Sequence, residues 1–181
     1  CKPILSDVTS ETVRIEVERA LKPSTALDVL INNAGVGGRG KSIETTSAAE
    51  VESLFNVHCL GALRVTQAVM PYMRPDGKII NISSRFGSIT KVASGELDNI
   101  KGSYAYRIAK AAQNMLTQCL SRELGQLGMK ICALHPGKLK TDTAASDADR
   151  EPQEAAGELI KMMDKLQNGK FYSLFEGELE W

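Results

Sequence analysis

The chain has 181 residues, 43% of them hydrophobic, with 22 basic side chains balanced by 22 acidic ones. That length and apolar content suit one domain with a real core, and the balanced charge gives no steering toward nucleic acid or an acidic membrane surface. No run of about 18 apolar residues offers a membrane span, and no basic segment followed by an apolar run marks a signal peptide at the start.

The first apolar run is residues 3–6. Residues 9–21 read as a helix, with Thr9 or Ser10 as cap and Val13, Val17, Ala20 and Leu21 on one face. Residues 27–33 form a compact apolar strand. A long helix is expected over 47–73, with Leu54, Val57, Val65, Ala68 and Val69 inward and Pro71 near its end. The turn Pro75-Asp76-Gly77 leads into a strand at 78–82. A polar loop covers 85–102, and a second long helix covers 104–127, closed by Gly125 or Gly128. Residues 129–134 form a strand broken by Pro136-Gly137. Residues 151–166 form a helix with Pro152 in its first turn. Residues 169–173 are a last strand, followed by a polar tail to Trp181.

Apolar strands alternating with amphipathic helices imply an α/β fold, a parallel sheet between helix layers. In such sheets ligands bind outside the carboxyl ends of the strands. Asn33-Ala34-Gly35, Ser83-Ser84 and Pro136-Gly137 stand at those ends. The four cysteines, Cys1, Cys59, Cys119 and Cys132, lack Cys-x-x-Cys spacing. They are expected to be small buried thiols in a reducing cytoplasm. His58 and His135 have no clustered partners, which argues against zinc.

Tyr106 and Lys110 are four residues apart on the second long helix and share a face. A phenol with a pKa of about 10 is a poor acid-base catalyst at neutral pH. A fixed ammonium beside it is expected to lower that value into the working range. Tyr104 has Ile108 in the equivalent place and cannot act this way.

Several motifs follow one another in a fixed order: Asp7-Val8-Thr9, Leu30-Ile31-Asn32-Asn33-Ala34-Gly35, Asn56, Ile80-Asn81-Ile82-Ser83-Ser84, Tyr106 with Lys110, and Pro136-Gly137-Lys138-Leu139-Lys140-Thr141. In this order they resemble the short-chain dehydrogenase/reductases over essentially the whole chain. The run Tyr104-Ala105-Tyr106-Arg107-Ile108-Ala109-Lys110, the segment Ala133-Leu134-His135-Pro136-Gly137 and the ending Gly177-Glu178-Leu179-Glu180-Trp181 resemble the C-factor/sniffer-like carbonyl reductases. The resemblance implies a Rossmann-like doubly wound parallel sheet with helices on both faces. It implies an oxidoreductase that reduces a small carbonyl compound, or oxidises the alcohol, with NADP or NAD, NADP placed first.

By the same resemblance, Tyr106 exchanges the proton of the substrate oxygen, and Lys110 lowers its pKa and bonds the nicotinamide ribose. Ser84, rather than Ser83, holds the carbonyl oxygen, and Asn56 anchors a water relay from Lys110. Asp7 and Val8 meet the adenine, and Asn33, Ala34 and Gly35 pack along the cofactor. Pro136, Gly137, Leu139 and Thr141 hold the carboxamide end. The resemblance also implies homo-oligomers built on helices 47–73 and 104–127.

The sequence departs from the family in one large respect. The opening strand and its Gly-rich turn, which cradle the pyrophosphate at a helix N-terminus, have no counterpart. The chain starts at what would be the third strand, without the first two βα units. Residues 27–33 are therefore expected either to present an open edge or to pair with residues 3–6. Gly35-Val36-Gly37-Gly38-Arg39-Gly40 fits G-x-G-x-x-G literally, but its helix starts too late and no acidic residue ends a second strand about 20 residues on. It reads as a turn and loop. The competing reading is a truncated, non-catalytic relative or a fragment that acts, if at all, as an interaction protein. An epimerase or dehydratase with the same Tyr/Lys pair would carry a larger C-terminal domain.

Overall fold

Alternating side chains of a central strand decide the layers. In β2 (Met73–Ile82), Ile79 packs with Ile131, Leu124 and Met129, while Ile80 packs with Cys132, Leu134 and Leu159 on the opposite face. The computed structural model describes residues 3–100, 102–141 and 148–181. Its sheet has five strands in the order of the sequence. β1 (Leu27–Asn32), β2, β3 (Lys130–His135) and β4 (Lys170–Ser173) are parallel, with Asn32 opposite Asn81 and Ile80 opposite Cys132. β5 (Gly177–Leu179) returns antiparallel to β4.

Parallel neighbours need crossovers, and helices supply them. α1 (Val13–Ala20) precedes β1 and packs through Val13 and Val17 on Ala68 and Val69 of α3 (Gly61–Val69). α2 (Ala48–Phe55), a π-helical turn (Asn56–Leu60) and α3 join β1 to β2. The short α4 (Ile89–Ala93) and the long α5 (Tyr104–Leu124) join β2 to β3. α6 (Pro152–Met162) leads to β4 and covers the second face through Leu159. The expected α/β architecture with helices on both faces is therefore present.

Several details differ from the sequence reading. β2 begins at Met73 and runs through the expected turn at Pro75-Asp76-Gly77, and the expected loop 85–102 holds a 3₁₀ turn and α4. Residues 3–6 are irregular, with Leu5 98% exposed, so they neither form a strand nor pair with β1. An apolar run this short has no ladder to join there, and Ile31 of β1 is 41% exposed. α1 begins at Val13, because Asp7 accepts from the backbone N–H and hydroxyl of Thr9, each at 2.8 Å, and folds the preceding residues into a turn. The helix read over 47–73 is interrupted by the π-helical turn and ends at Val69, with Pro71 in a 3₁₀ turn. The polar tail contains β5, which makes the sheet mixed rather than wholly parallel. Trp181 stacks on Phe171 with ring centroids 5.3 Å apart, and burial of that ring holds the returning strand in place.

The second long helix runs as expected to Leu124, continues as a 3₁₀ turn and is closed by Gly128. Cys59 and Cys132 are buried as expected, Cys119 is exposed, and Cys1 lies outside the described residues.

Candidate active site

The carboxyl ends of β1, β2 and β3 rim a cavity of about 470 Å³. Ser84 lies just past β2. Its hydroxyl accepts from Phe86 N at 3.3 Å and starts a 3₁₀ turn (Arg85–Gly87), and it stands near enough to the Tyr106 phenol to draw its pKa down. Ser83, its neighbour, is used elsewhere: its hydroxyl donates to Asn114 Oδ1 at 2.6 Å in a buried pair. Side-chain direction alternates along a strand, so the two neighbouring serines turn to different partners, Ser83 to Asn114 and Ser84 to Tyr106.

Tyr106 sits in the first turn of α5. Ser103 caps that turn, its hydroxyl accepting from Tyr106 N at 3.3 Å. Lys110 is one turn further along and 3% exposed. Its Nζ donates to Ile82 O at 2.6 Å and to Gln113 Oε1 at 2.9 Å, and stands 5.7 Å from the centroid of the Tyr106 ring. Burial pulls Lys110 down to about 7. Tyr106 is pushed above its ordinary value by burial, partly offset by the bond to Ser84. The expected lowering of the phenol by Lys110 is thus not what this geometry produces. The ammonium is held by its two acceptors under the ring, and burial of the phenol dominates.

His58 stands in the π-helical turn and lines the cavity. It is 2% exposed, its Nε2 lies 2.9 Å from Val36 O, and its ring meets Tyr106 edge-on at 5.3 Å and 88°. Burial, then the charge of Lys110, hold it neutral down to about 4. Asn56 behaves differently. Its Oδ1 accepts from Arg64 Nη1 at 2.9 Å, and it does not line the cavity. Two residues along a helix turn a side chain by roughly half a revolution, so Asn56 and His58 cannot face the same way. The sequence reading gave Asn56 a water relay from Lys110; in the structure its side chain is held by Arg64, and His58 is the residue of this turn that meets Tyr106. The available signal was that His58, not Asn56, shares the inward face with Leu54.

Pro136, Gly137, Leu139 and Thr141 form one wall of the cavity, with Gly137 at φ 91°, a value that favours glycine. Asn33 and Gly35 form another. Any β-carbon on Gly35 would come within 2.8 Å of His58 Cε1. Ala34 and Val8 instead line a smaller cavity of about 110 Å³ together with Asn33 and Gln113. Asp7 is exposed and engaged with Thr9.

The loop that mimics a phosphate-binding motif is filled from within. The Glu50 carboxylate of α2 accepts from Gly40 N at 3.1 Å and also from Arg39 N. Gly38 lies against Ser103 and Leu54 where a β-carbon would collide. These glycines allow close packing of the loop on α2 and α5, and the amides at 39 and 40 are already spoken for. Among the described residues, no helix is long and apolar enough to cross a membrane.

The model of the family "short chain dehydrogenase" matches residues 2–152. The chain belongs to the short chain dehydrogenase family. It is therefore related to oxidoreductases acting on alcohol and carbonyl groups. It is 33% identical to C-signal of Myxococcus xanthus over 160 residues, 86% of this chain and 93% of that protein. It is similar to the NADPH-bound carbonyl reductase from chicken fatty liver, with a TM-score of 0.86 and 28% identity over 98% of this chain and 76% of that one. Carbonyl reductase Sniffer of D. melanogaster gives a TM-score of 0.84 at 27% identity, over 97% of this chain and 76% of that one. In this family setting the expected Ser84, Tyr106 and Lys110 converge on one cavity, and His58 joins them.

Proposed function

We propose that the protein is a carbonyl reductase using a nicotinamide cofactor, with Ser84 and Tyr106 polarising the substrate carbonyl and Tyr106 donating the proton. The observation that carries this reading is the convergence of Ser84, Tyr106 and the buried Lys110 in one cavity, with Ser83 diverted to Asn114. Reduction builds negative charge on the carbonyl oxygen. Two hydroxyl donors at that oxygen stabilise the charge, and a phenol held in its protonated form by burial is ready to neutralise it. Lys110 remains charged below about 7 and adds positive potential beneath the ring.

The cavity fits the nicotinamide end of such a cofactor. Its volume is of the size that takes small ligands, and Gly35 and Gly137 leave room for close approach. The His135 Nδ1 is buried beside it without a partner. Pro136, Gly137, Leu139 and Thr141 would hold the carboxamide end, Asn33 and Gly35 the ribose side, and Ala34, Val8 and Asp7 the direction of the adenine. When bound, the cofactor supplies the hydride. NADP is placed before NAD because the chicken carbonyl reductase is NADPH-bound. The loop amides held by Glu50 do not fit a pyrophosphate, so affinity for the cofactor is expected to be weak.

A second reading, a non-catalytic interaction protein, has one observation in its favour: the open edge of β1 with exposed Ile31. Titration with NADPH and NADH, followed by nicotinamide fluorescence, separates the two. Saturable binding, with turnover of a simple aldehyde or quinone lost in Tyr106→Phe, is expected. No binding up to millimolar cofactor would support the interaction protein.

A further inference from the structure

Lys110 is buried with two hydrogen-bond acceptors, Ile82 O at 2.6 Å and Gln113 Oε1 at 2.9 Å. Gln113 is three residues further along α5, on the same face, and is 1% exposed. An ammonium has donors only, so the amide oxygen must face it. The Gln113 Nε2 is thereby turned away, is buried, and has no partner. A buried donor left unpaired is unfavourable, and an apolar side chain of the same size would avoid it. The arrangement makes sense if the second acceptor for the ammonium outweighs the unpaired N–H.

Among the described residues no carboxylate lines the cavity to take that role, and Asn56 is engaged with Arg64. The other titratable or charged groups facing this region are Tyr106 on α5, His58 in the π-helical turn and His135 on β3. Arg85 after β2, and Lys41 and Lys138 on the loops, complete the set. Each is cationic or neutral, so among the described residues the oxygens that face the Lys110 ammonium are those of the Ile82 backbone and the Gln113 amide. The Gln113 position is also anchored from behind, because Thr117 Oγ1 donates to its backbone carbonyl at 2.9 Å.

We propose that Gln113 is a positioning residue for the reduction: its amide oxygen fixes the Lys110 ammonium beneath the Tyr106 ring. The inference rests on reading Tyr106 and Lys110 as the proton-transfer pair, but its test does not need turnover. The full chain carrying ¹³C-lysine would be titrated by NMR, with Lys110→Met assigning the signal. Wild type, Gln113→Leu, Gln113→Met and Gln113→Glu would be compared, each checked for folding by circular dichroism.

Loss of the acceptor disfavours the ammonium, so Lys110 in Gln113→Leu and Gln113→Met should titrate about one pH unit below wild type. A carboxylate at the same place favours the ammonium, so Gln113→Glu should titrate above wild type by a similar interval. Where turnover is measurable, the alkaline fall of kcat should move with these midpoints, whereas a packing role would lower kcat and leave its pH profile in place. Coinciding midpoints in folded variants would overturn the proposal. If Gln113→Leu does not fold, Gln113→Met and Gln113→Glu against wild type decide the matter. Separated midpoints without turnover in any protein would leave Gln113 as the anchor of Lys110 and overturn the reductase reading instead.

Discussion

Two imidazoles, His58 and His135, stand in the wall of a cavity that also holds the charge of Lys110. Burial is the main reason both stay neutral down to about 4. Lys110 adds to it at His58, and Arg85, Lys110 and Lys91 add to it at His135. In the unfolded chain each takes a proton near pH 6.5. Between 6.5 and 4 the unfolded state therefore binds more protons, and stability falls as the pH drops through that window. The loss is up to about 3 kcal/mol for each imidazole. Chemical denaturation at pH 6.5 and at pH 4.5 should show it, and the slope should flatten in His135→Gln. An equal slope in that variant would place the acid sensitivity elsewhere.

The π-helical turn (Asn56–Leu60) is the element that most affects the site. It rotates His58 onto Tyr106 and sends Asn56 toward Arg64. Such turns inside helices often occur at functional sites. The loop before α2 is tied to the start of α5 through Gly38, whose β-carbon would lie 2.7 Å from Ser103 Cβ. Gly38→Ala should push Ser103 off the N-terminus of α5, with loss of its cap to Tyr106 N. A cost of about 1–3 kcal/mol is expected from overpacking and the lost cap together. Thermal unfolding measures the cost. An unchanged midpoint would mean that the loop yields freely and does not fix α5.

A buried polar chain crosses the sheet between two helices. Asn32 Nδ2 donates to Thr66 Oγ1 at 3.2 Å and to Asn81 Oδ1 at 2.8 Å, and Asn81 Nδ2 donates to Thr117 Oγ1 at 2.8 Å. It joins α3, β1, β2 and α5, and through Thr117 it reaches the Gln113 carbonyl behind Lys110. Removing its centre leaves buried groups unpaired, so Asn81→Ala should lose about 2–4 kcal/mol. The remaining chain should still unfold in one transition if the 181 residues are a single domain, as we read them. Two separated transitions in wild type would contradict that reading. Tyr104, Ile108 and Met115 are exposed on α5, and light scattering reports whether copies of the chain associate.

Local patterns were enough to read α5, β3, β4, the apolar half of β2 and the order of the layers, because apolar periodicity acts over a few positions. The same holds for Tyr106 and Lys110, whose shared face follows from helical spacing alone. The resemblance preferred Ser84 to Ser83, and in the structure the Ser83 hydroxyl is engaged with Asn114. What the sequence did not determine depends on partners far along the chain. Residues 3–6 form no strand because no neighbour meets them. The segment before Trp181 becomes a strand because Phe171 offers a surface for its ring. His58 replaces Asn56 in the site because a π-helical turn sets the rotation, and the Glu50 carboxylate fills a loop that spells a phosphate motif. The ammonium of Lys110 turns to Ile82 and Gln113, and burial raises Tyr106. Such outcomes follow from burial and from hydrogen-bond partners brought together by folding, and neither is written in the spacing of residues.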